Sequence, residues 1–254
     1  FLQILPIMKQ SVLSALATLL LALSISSIRA QTNAASASSA PAATDQETKT
    51  VDKHFKPIQK ALDLNNAAKE AQVRDIFAAH LKTFDTWHAQ NDSHIKELWN
   101  EFNHARSQQN ETNADAALAK IDGVYATFKP EHDKFLSELS SVLTPEQVDK
   151  IKDALTVNKV EVTYNAYGQI FHGLTDEQKA FILKNLKAAR EEAIDANAMT
   201  EKSAFFKKYK IKIEAYLTSQ GYDVKQSYKE FVAKQKAEAA AKKASAAAKS
   251  GAKQ

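Results

Sequence analysis

Apolar side chains recur in steps of three and four along the middle of the chain, at Val73, Phe77, Leu81 and Phe84, then at Ile95, Leu98, Phe102 and Ala105. A polar, turn-rich stretch from Ser107 to Asn113 interrupts the stripe. It resumes at Leu118, Ile121, Tyr125, Phe128, His132, Phe135, Leu139 and Val142. This spacing lays one face of a helix against a partner and predicts a long antiparallel helical hairpin. Between Phe84 and Ile95 the stripe calls for apolar residues, but the chain supplies His88 and Asn91. With the turn centred near Asn110 and the same rise on both arms, Phe102 faces Leu118, Ile95 faces Tyr125 and His88 faces His132. Two imidazoles then meet in an otherwise apolar seam. They could form a metal pair or a pH-sensitive joint. A plainer arrangement is two neutral rings bonded to each other or to Asn91, because two ligands are fewer than a metal needs. Pro130 predicts a kink just before His132.

Leu143-Thr144-Pro145-Glu146-Gln147 recurs as Leu174-Thr175-Asp176-Glu177-Gln178. Each copy reads as a capping box, with the Thr hydroxyl accepting from the Gln amide and the Gln side chain reaching back to the Thr amide. Pro145 suits a first helical position. Leu143 can staple onto Val148, whereas the second copy has Lys179 at the matching place. The signal marks two helix starts and carries no chemistry.

Between these two helices, residues Thr156 to Gly173 read as the one irregular loop. Val160, Val162 and Tyr164 alternate like a strand, and no second strand pattern exists to pair with them. Long irregular connections in helical domains are often functional. This one holds Tyr164, Asn165, Tyr167 and His172, flat rings beside hydrogen-bonding groups, a combination that suits sugars. The same tyrosines could simply pin the loop to the bundle, which is the commoner use of buried aromatics. Beyond it, Arg190 and Asp195 are placed to face the loop, although Glu191 and Asp195 four apart also describe an ordinary solvated face. No spacing fixes two carboxyls across a cleft, so enzymatic glycan chemistry is disfavoured. The last core helix is expected to start at Thr200 as N-cap and to end at Gly221.

Charge and composition then narrow the class. The chain has 254 residues, 5 Gly and no Cys, which excludes disulfides, thiolate metal sites and a cysteine nucleophile. Its net charge of +4 is unevenly spread: residues 229–254 contribute +5, the first thirty +2, and the remaining body −3. The positive charge therefore sits in an Ala/Lys-rich tail rather than on a folded face, which argues against nucleic acid as a partner. The tail reads as a solvated helix extension. At the other end, Lys9 precedes an apolar run from Val12 to Ile25, closed by small residues and Ala30. This is a secretory signal pattern, too short for a membrane span. Met8 reads as the start, with residues 1–7 an upstream extension.

Two resemblances enter at these residues. The repeated Leu-Thr-x-x-Gln motif is similar to that of small periplasmic helical chaperones of the Spy and CpxP type. The longer segments LTPEQVDKIKDALTVNKVEVTYNAYGQI, LTDEQKAFILKNLKAAREEAIDA and FFKKYKIKIEAYLTSQGYD resemble the family known as domain of unknown function 3826. The similarity runs from about residue 50 to 230 and is clearest over 140–225. That resemblance implies an exported protein of Gram-negative bacteria, in a family that includes many polysaccharide degraders and is described as sugar-binding. Family glycines near the end of the first capped helix are replaced here by Asn158-Lys159.

The resulting expectation is an all-α chain: a signal segment over 1–30, a disordered lead-in over 31–50, one helical domain over 51–230 and a tail over 231–254. The domain should hold a long hairpin, three or four shorter helices and the irregular loop. The expected role is exported, periplasmic or secreted, non-catalytic binding of an oligo- or polysaccharide through Tyr164, Asn165, Tyr167, His172, Arg190 and Asp195. No cofactor and no transmembrane segment after signal cleavage are expected, and the oligomeric state is left open. A periplasmic chaperone is the alternative, and a glycan-acting enzyme a weaker one.

Overall fold

A computed structural model describes residues 45–251, all of whose regular elements are helices. In order they are α1 (Asp45–Leu62), α2 (Ala67–Ser107), α3 (Glu111–Ala126), α4 (Lys129–Val142), α5 (Pro145–Leu155), α6 (Lys159–Ile170), α7 (Asp176–Ala193), α8 (Met199–Ser219) and α9 (Val224–Gly251). The 41-residue α2 is the spine, roughly 60 Å long at 1.5 Å per residue. Helices α3 and α4 return along it as the second arm of the expected hairpin. The arm breaks at Thr127-Phe128, where Phe128 N–H bonds back to the Tyr125 carbonyl and Pro130 sits in the first turn of α4. Proline lacks the amide that would continue the ladder, so the kink expected from sequence is a full break between two helices.

The stripe's interruption at His88 marks a division of the interior. On the N-terminal side, Phe55, Ile58 and Leu62 of α1 pack with Val73, Phe77 and Leu81 of α2, Phe135 and Leu139 of α4, and Val148 and Ile151 of α5. On the other side, Ile95, Leu98, Trp99 and Phe102 of α2 pack with Ile121 of α3, Tyr167 of α6, Ile182 and Leu186 of α7, and Phe205, Ile213 and Leu217 of α8. Each such side chain, once buried, contributes about 1.5–3 kcal/mol. Both cores are therefore real, and α2 runs through both.

Both capping boxes are present. The Thr144 and Thr175 hydroxyls accept from the Gln147 and Gln178 amides, and each glutamine returns a bond to its threonine's amide. Gly221 has φ +93° and closes α8, as expected. The start of that helix differs. Ala198 is the capping position, and Glu201 bonds back to its amide at 3.4 Å, where Thr200 had been expected to cap. Helix α1 begins at Asp45, so the last six residues of the expected lead-in are helical; the signal segment and residues 31–44 lie outside the described residues. Helix α9 crosses the expected domain–tail boundary at 230/231 without a break, and the side chains from Val232 to residue 241 are exposed.

The irregular loop is corrected most. Residues 159–170 are the helix α6, bounded by turns at 156–158 and 171–175. The apparent alternation came from β-branched Val160 and Val162, residues with a local preference for strands. Burial follows the helical step instead: Val160, Tyr167 and Ile170 are buried and Val162 is 64% exposed. The turn into α6 is left-handed at Val157 (φ 48°) and Asn158 (φ 56°). Asparagine tolerates that conformation, but a β-branched residue is strained by about 1–2 kcal/mol. Val157 is 56% exposed, so little packing offsets the strain. Val157→Gly should therefore stabilise the fold by about 0.5–1 kcal/mol after the glycine's own entropic cost, raising Tm by about 1–3 °C in a calorimetric melt. A lower Tm would show that the Val157 methyls do more than the strain costs.

A second prediction comes from the edge of the N-terminal core. The His80 imidazole stacks on Phe135 with centroids 3.8 Å apart and has Phe84 and Phe128 as further neighbours. Burial among these rings, reinforced by His132, pushes its pKa from 6.5 down to about 4. A depressed value means that the unfolded chain takes up a proton before the fold does, so stability is lost as pH falls from 6.5 towards about 4. Between about pH 7 and pH 4.5 the natural protein should lose about 1–2 kcal/mol more than His80→Leu, read from urea unfolding at the two pH values. Equal losses would remove His80 from the acid response.

Candidate functional site

Three of the six side chains expected to bind come together, and their setting is the corner between α6 and α7. A cleft of about 350 Å³ is lined there by Tyr164, Asn165, Tyr167, Phe171, Lys179 and Ile182, with Gly168 and Gly173 in its walls. The helical step explains the grouping, because Tyr164 and Tyr167 share one face of α6 and Phe171 caps its end. Tyr164 is half-buried in the cleft wall, while Asn165 and Lys179 are exposed on the rim. Tyr167 differs from expectation. Only 2% of it is exposed, its ring stacks on Phe171 at 5.7 Å, and it belongs to the C-terminal core. Burial, with the Glu214 carboxylate second, drives its phenol pKa upward. It is a wall of the cleft and not a hydrogen-bonding group at its mouth. His172 is exposed beside the cleft, and its backbone carbonyl accepts from the Tyr222 hydroxyl at 3.4 Å.

Arg190 and Asp195 do not face this corner, which corrects their expected placement. Arg190, 2% exposed, points from α7 onto α5, with Nη2 on Asp149 at 2.6 Å and Nη1 on Asp153 at 2.9 Å. Glu191 joins from the next position, and Lys152 pairs with it at 2.7 Å. A buried guanidinium held by carboxylates is a clamp between two helices. Removing it leaves partly desolvated carboxylates crowded together. Arg190→Met should cost about 2–3 kcal/mol of unfolding free energy in urea, and Arg190→Lys about half as much, since an ammonium can hold one carboxylate but not both forks. An Arg190→Met protein of unchanged stability would contradict the clamp.

Asp195, in the turn after α7, sits in a polar joint at the waist between the two cores. His88 and His132 do not bond to each other, and Asn91 spends its amide on the Trp87 carbonyl. Both imidazoles converge instead on Asp195. His88 Nε2 lies 2.8 Å from its backbone oxygen, and His132 Nδ1 lies 2.8 Å from Oδ2. The bond to Asp195 raises the His132 pKa above its usual value, and burial raises that of the Asp195 carboxyl. Lys202 caps the end of α7 by donating to the carbonyls of Ala193 (3.2 Å) and Ala196 (2.6 Å). Burial pushes its pKa down to about 8. His88 Nδ1 meets the Asp92 carboxylate one helical turn on, and Asn197 holds the other Asp92 oxygen at 3.0 Å. Sequence reasoning missed Asp92, although its i,i+4 spacing from His88 was visible. It also missed Glu201 and Lys202, whose approach depends on how α8 folds back.

Next to this joint a cleft of about 260 Å³ collects four carboxylates from Asp122, Glu191, Glu192 and Asp195. Each has a basic partner. Lys208 holds Asp122 at 2.8 Å and Glu192 at 2.9 Å, Glu191 pairs with Lys152 and Arg190, and Asp195 with His132. Carboxylates paired in this way hold helices together.

The family described as "Protein of unknown function (DUF3826)" matches residues 48–237. No curated protein matches the chain closely enough to transfer an activity. The family match begins inside α1, ends inside α9 and takes in both cores, the cleft and the waist, so the chain belongs to the DUF3826 family.

Proposed function

We propose that this protein is a non-catalytic binding module for an oligo- or polysaccharide, exported to the periplasm or beyond, with the α6–α7 cleft as its contact surface. The observation that carries this reading is the cleft itself: a half-exposed tyrosine ring beside an exposed amide and an ammonium, in a space of about 350 Å³. An aromatic face covers the CH surface of a sugar ring while amide and ammonium groups meet its hydroxyls, and the volume falls in the range of small-molecule sites. A client-holding chaperone is less well supported. It calls for a continuous apolar patch of several hundred Å². Among the described residues, the large apolar side chains left exposed are Val157, Val162, Met199 and Val232, scattered over three helices and a turn.

The test is thermal-shift screening and calorimetric titration against cell-wall oligosaccharides. A binding glycan should raise Tm. Tyr164→Ala should weaken its binding at least tenfold, which corresponds to about 1.4 kcal/mol of ring contact, and should leave the unliganded Tm within about 2 °C. Asn165→Ala should weaken it less. Failure of every glycan to bind, together with suppression of client aggregation by the protein, would reverse the order of the two readings.

A further inference from the structure

We propose that His88, Asp92 and Glu201 form a binding site for one divalent transition-series cation, of the kind that imidazole and carboxylate ligands share, such as Zn²⁺ or Mn²⁺. One ligand atom from each residue lies within 4.8 Å of the other two. Two come from adjacent turns of α2 and the third from the first turn of α8, so the site would tie the spine to the helix that folds back onto it.

The hydrogen bonds around the group orient His88 and Asp92 as metal ligands would be oriented. A backbone carbonyl can only accept, so the 2.8 Å contact to the Asp195 oxygen requires His88 Nε2 to carry a hydrogen. That leaves Nδ1 as the ligating nitrogen, aimed at a carboxylate that is also an acceptor. Two acceptors facing each other need something positive between them, a proton or a metal ion. The carbonyl–histidine pairing is the arrangement that orients metal-binding imidazoles, and here it comes with a second support. Asn197 Nδ2 donates to Asp92 Oδ2 at 3.0 Å, so Oδ1 is the oxygen turned towards Nδ1. Both outer partners, Asp195 and Asn197, lie in the segment joining α7 to α8 and are independent of the ligands themselves.

Charge and access agree. Neutral His88 with ionised Asp92 and Glu201 amounts to two negative charges, which one divalent cation balances. His88 is 1% exposed and preorganised by burial, while the Asp92 side chain is 42% exposed and gives the ion a way in. Bonds of about 2.0–2.2 Å around a tetrahedral ion place ligand atoms about 3.3 Å apart. The directly bonded His88–Asp92 pair must therefore open to admit the ion, and Glu201, at a helix start and only partly buried, closes in from the other side. Imidazole with two carboxylates suits Zn²⁺ or Mn²⁺ better than Ca²⁺, which prefers six or more oxygens. This proposal stands apart from the glycan cleft, which shares none of these residues.

The experiment uses the whole purified chain, stripped with a chelator and titrated calorimetrically with ZnCl₂, MnCl₂ and CaCl₂. Zn²⁺ or Mn²⁺ should bind one per chain and raise Tm, with CaCl₂ at least tenfold weaker. Asp92→Asn and Glu201→Gln should each weaken binding at least tenfold. Glu201→Gln keeps the shape of a partly exposed side chain, and its metal-free Tm should stay within about 2 °C, so it decides the matter if Asp92→Asn folds poorly. Absence of Zn²⁺ and Mn²⁺ binding would overturn the site, as would binding that Glu201→Gln leaves unchanged, which would place the ion on other histidines. Tighter binding of Ca²⁺ than of Zn²⁺ would overturn the choice of metal.

Discussion

The fold turns on how a long helix can cross a polar gap in its own interior. Two apolar cores share α2; around His88 the rings of Phe84, Trp87 and Phe128 touch between them, and hydrogen bonds beside those rings join the helices. Asp195 makes that join with two different atoms: its backbone oxygen takes His88 from the spine, and its carboxylate takes His132 from the return arm. Because a buried polar group left unpaired costs about 1–3 kcal/mol, the joint is satisfied only when α2, α4 and the end of α7 are in register together. The two cores supply stability, and Asp195 supplies the alignment between them. Arg190, five residues earlier, does the same for α5. One segment at the end of α7 thus fixes the relative placement of four helices.

Much of this was legible in the chain, for reasons that differ by element. The hairpin and its turn follow from a stripe of threes and fours sustained over seventy residues, a pattern that only a helix pair can bury. The capping boxes follow from side-chain chemistry within three residues. What failed was the reading of 156–173, where β-branched side chains suggested a strand period over three positions and the helical period over ten went unweighed. Val160, Tyr167 and Ile170 show the balance: the core opposite them rewards a helix, and that outweighs a weak local preference. The His88–His132 pairing was close in position and wrong in chemistry. Antiparallel register brought the two rings to one level, but Asp195, which holds both, arrives from a turn about sixty residues beyond His132, which no local pattern reports.

The candidate sites divide along the same line. Tyr164 and Asn165 were found because they lie close together on one element, and the turn of α6 keeps neighbours in sequence neighbours in space. Arg190 and Asp195 were attractive because they were charged and near. Charge says nothing about direction, and α7 turns them onto α5 and α4, away from α6. The cation group could not be assembled from sequence at all, since Glu201 reaches His88 only after α8 has folded back across the waist.

A site at the waist carries a consequence that a site at the α6–α7 corner does not. The corner lies on the C-terminal core alone, so a ligand there adds its binding energy to a surface that is already formed. The waist group binds only when α2 and α8 are docked, so whatever occupies it stabilises the alignment itself, in proportion to how much tighter it holds the docked state than the undocked one. The spacing of the ligands makes that dependence steep. Two of them are fixed on one helix by the i,i+4 step, and the third arrives on another, so loss of docking removes a whole side of the site at once.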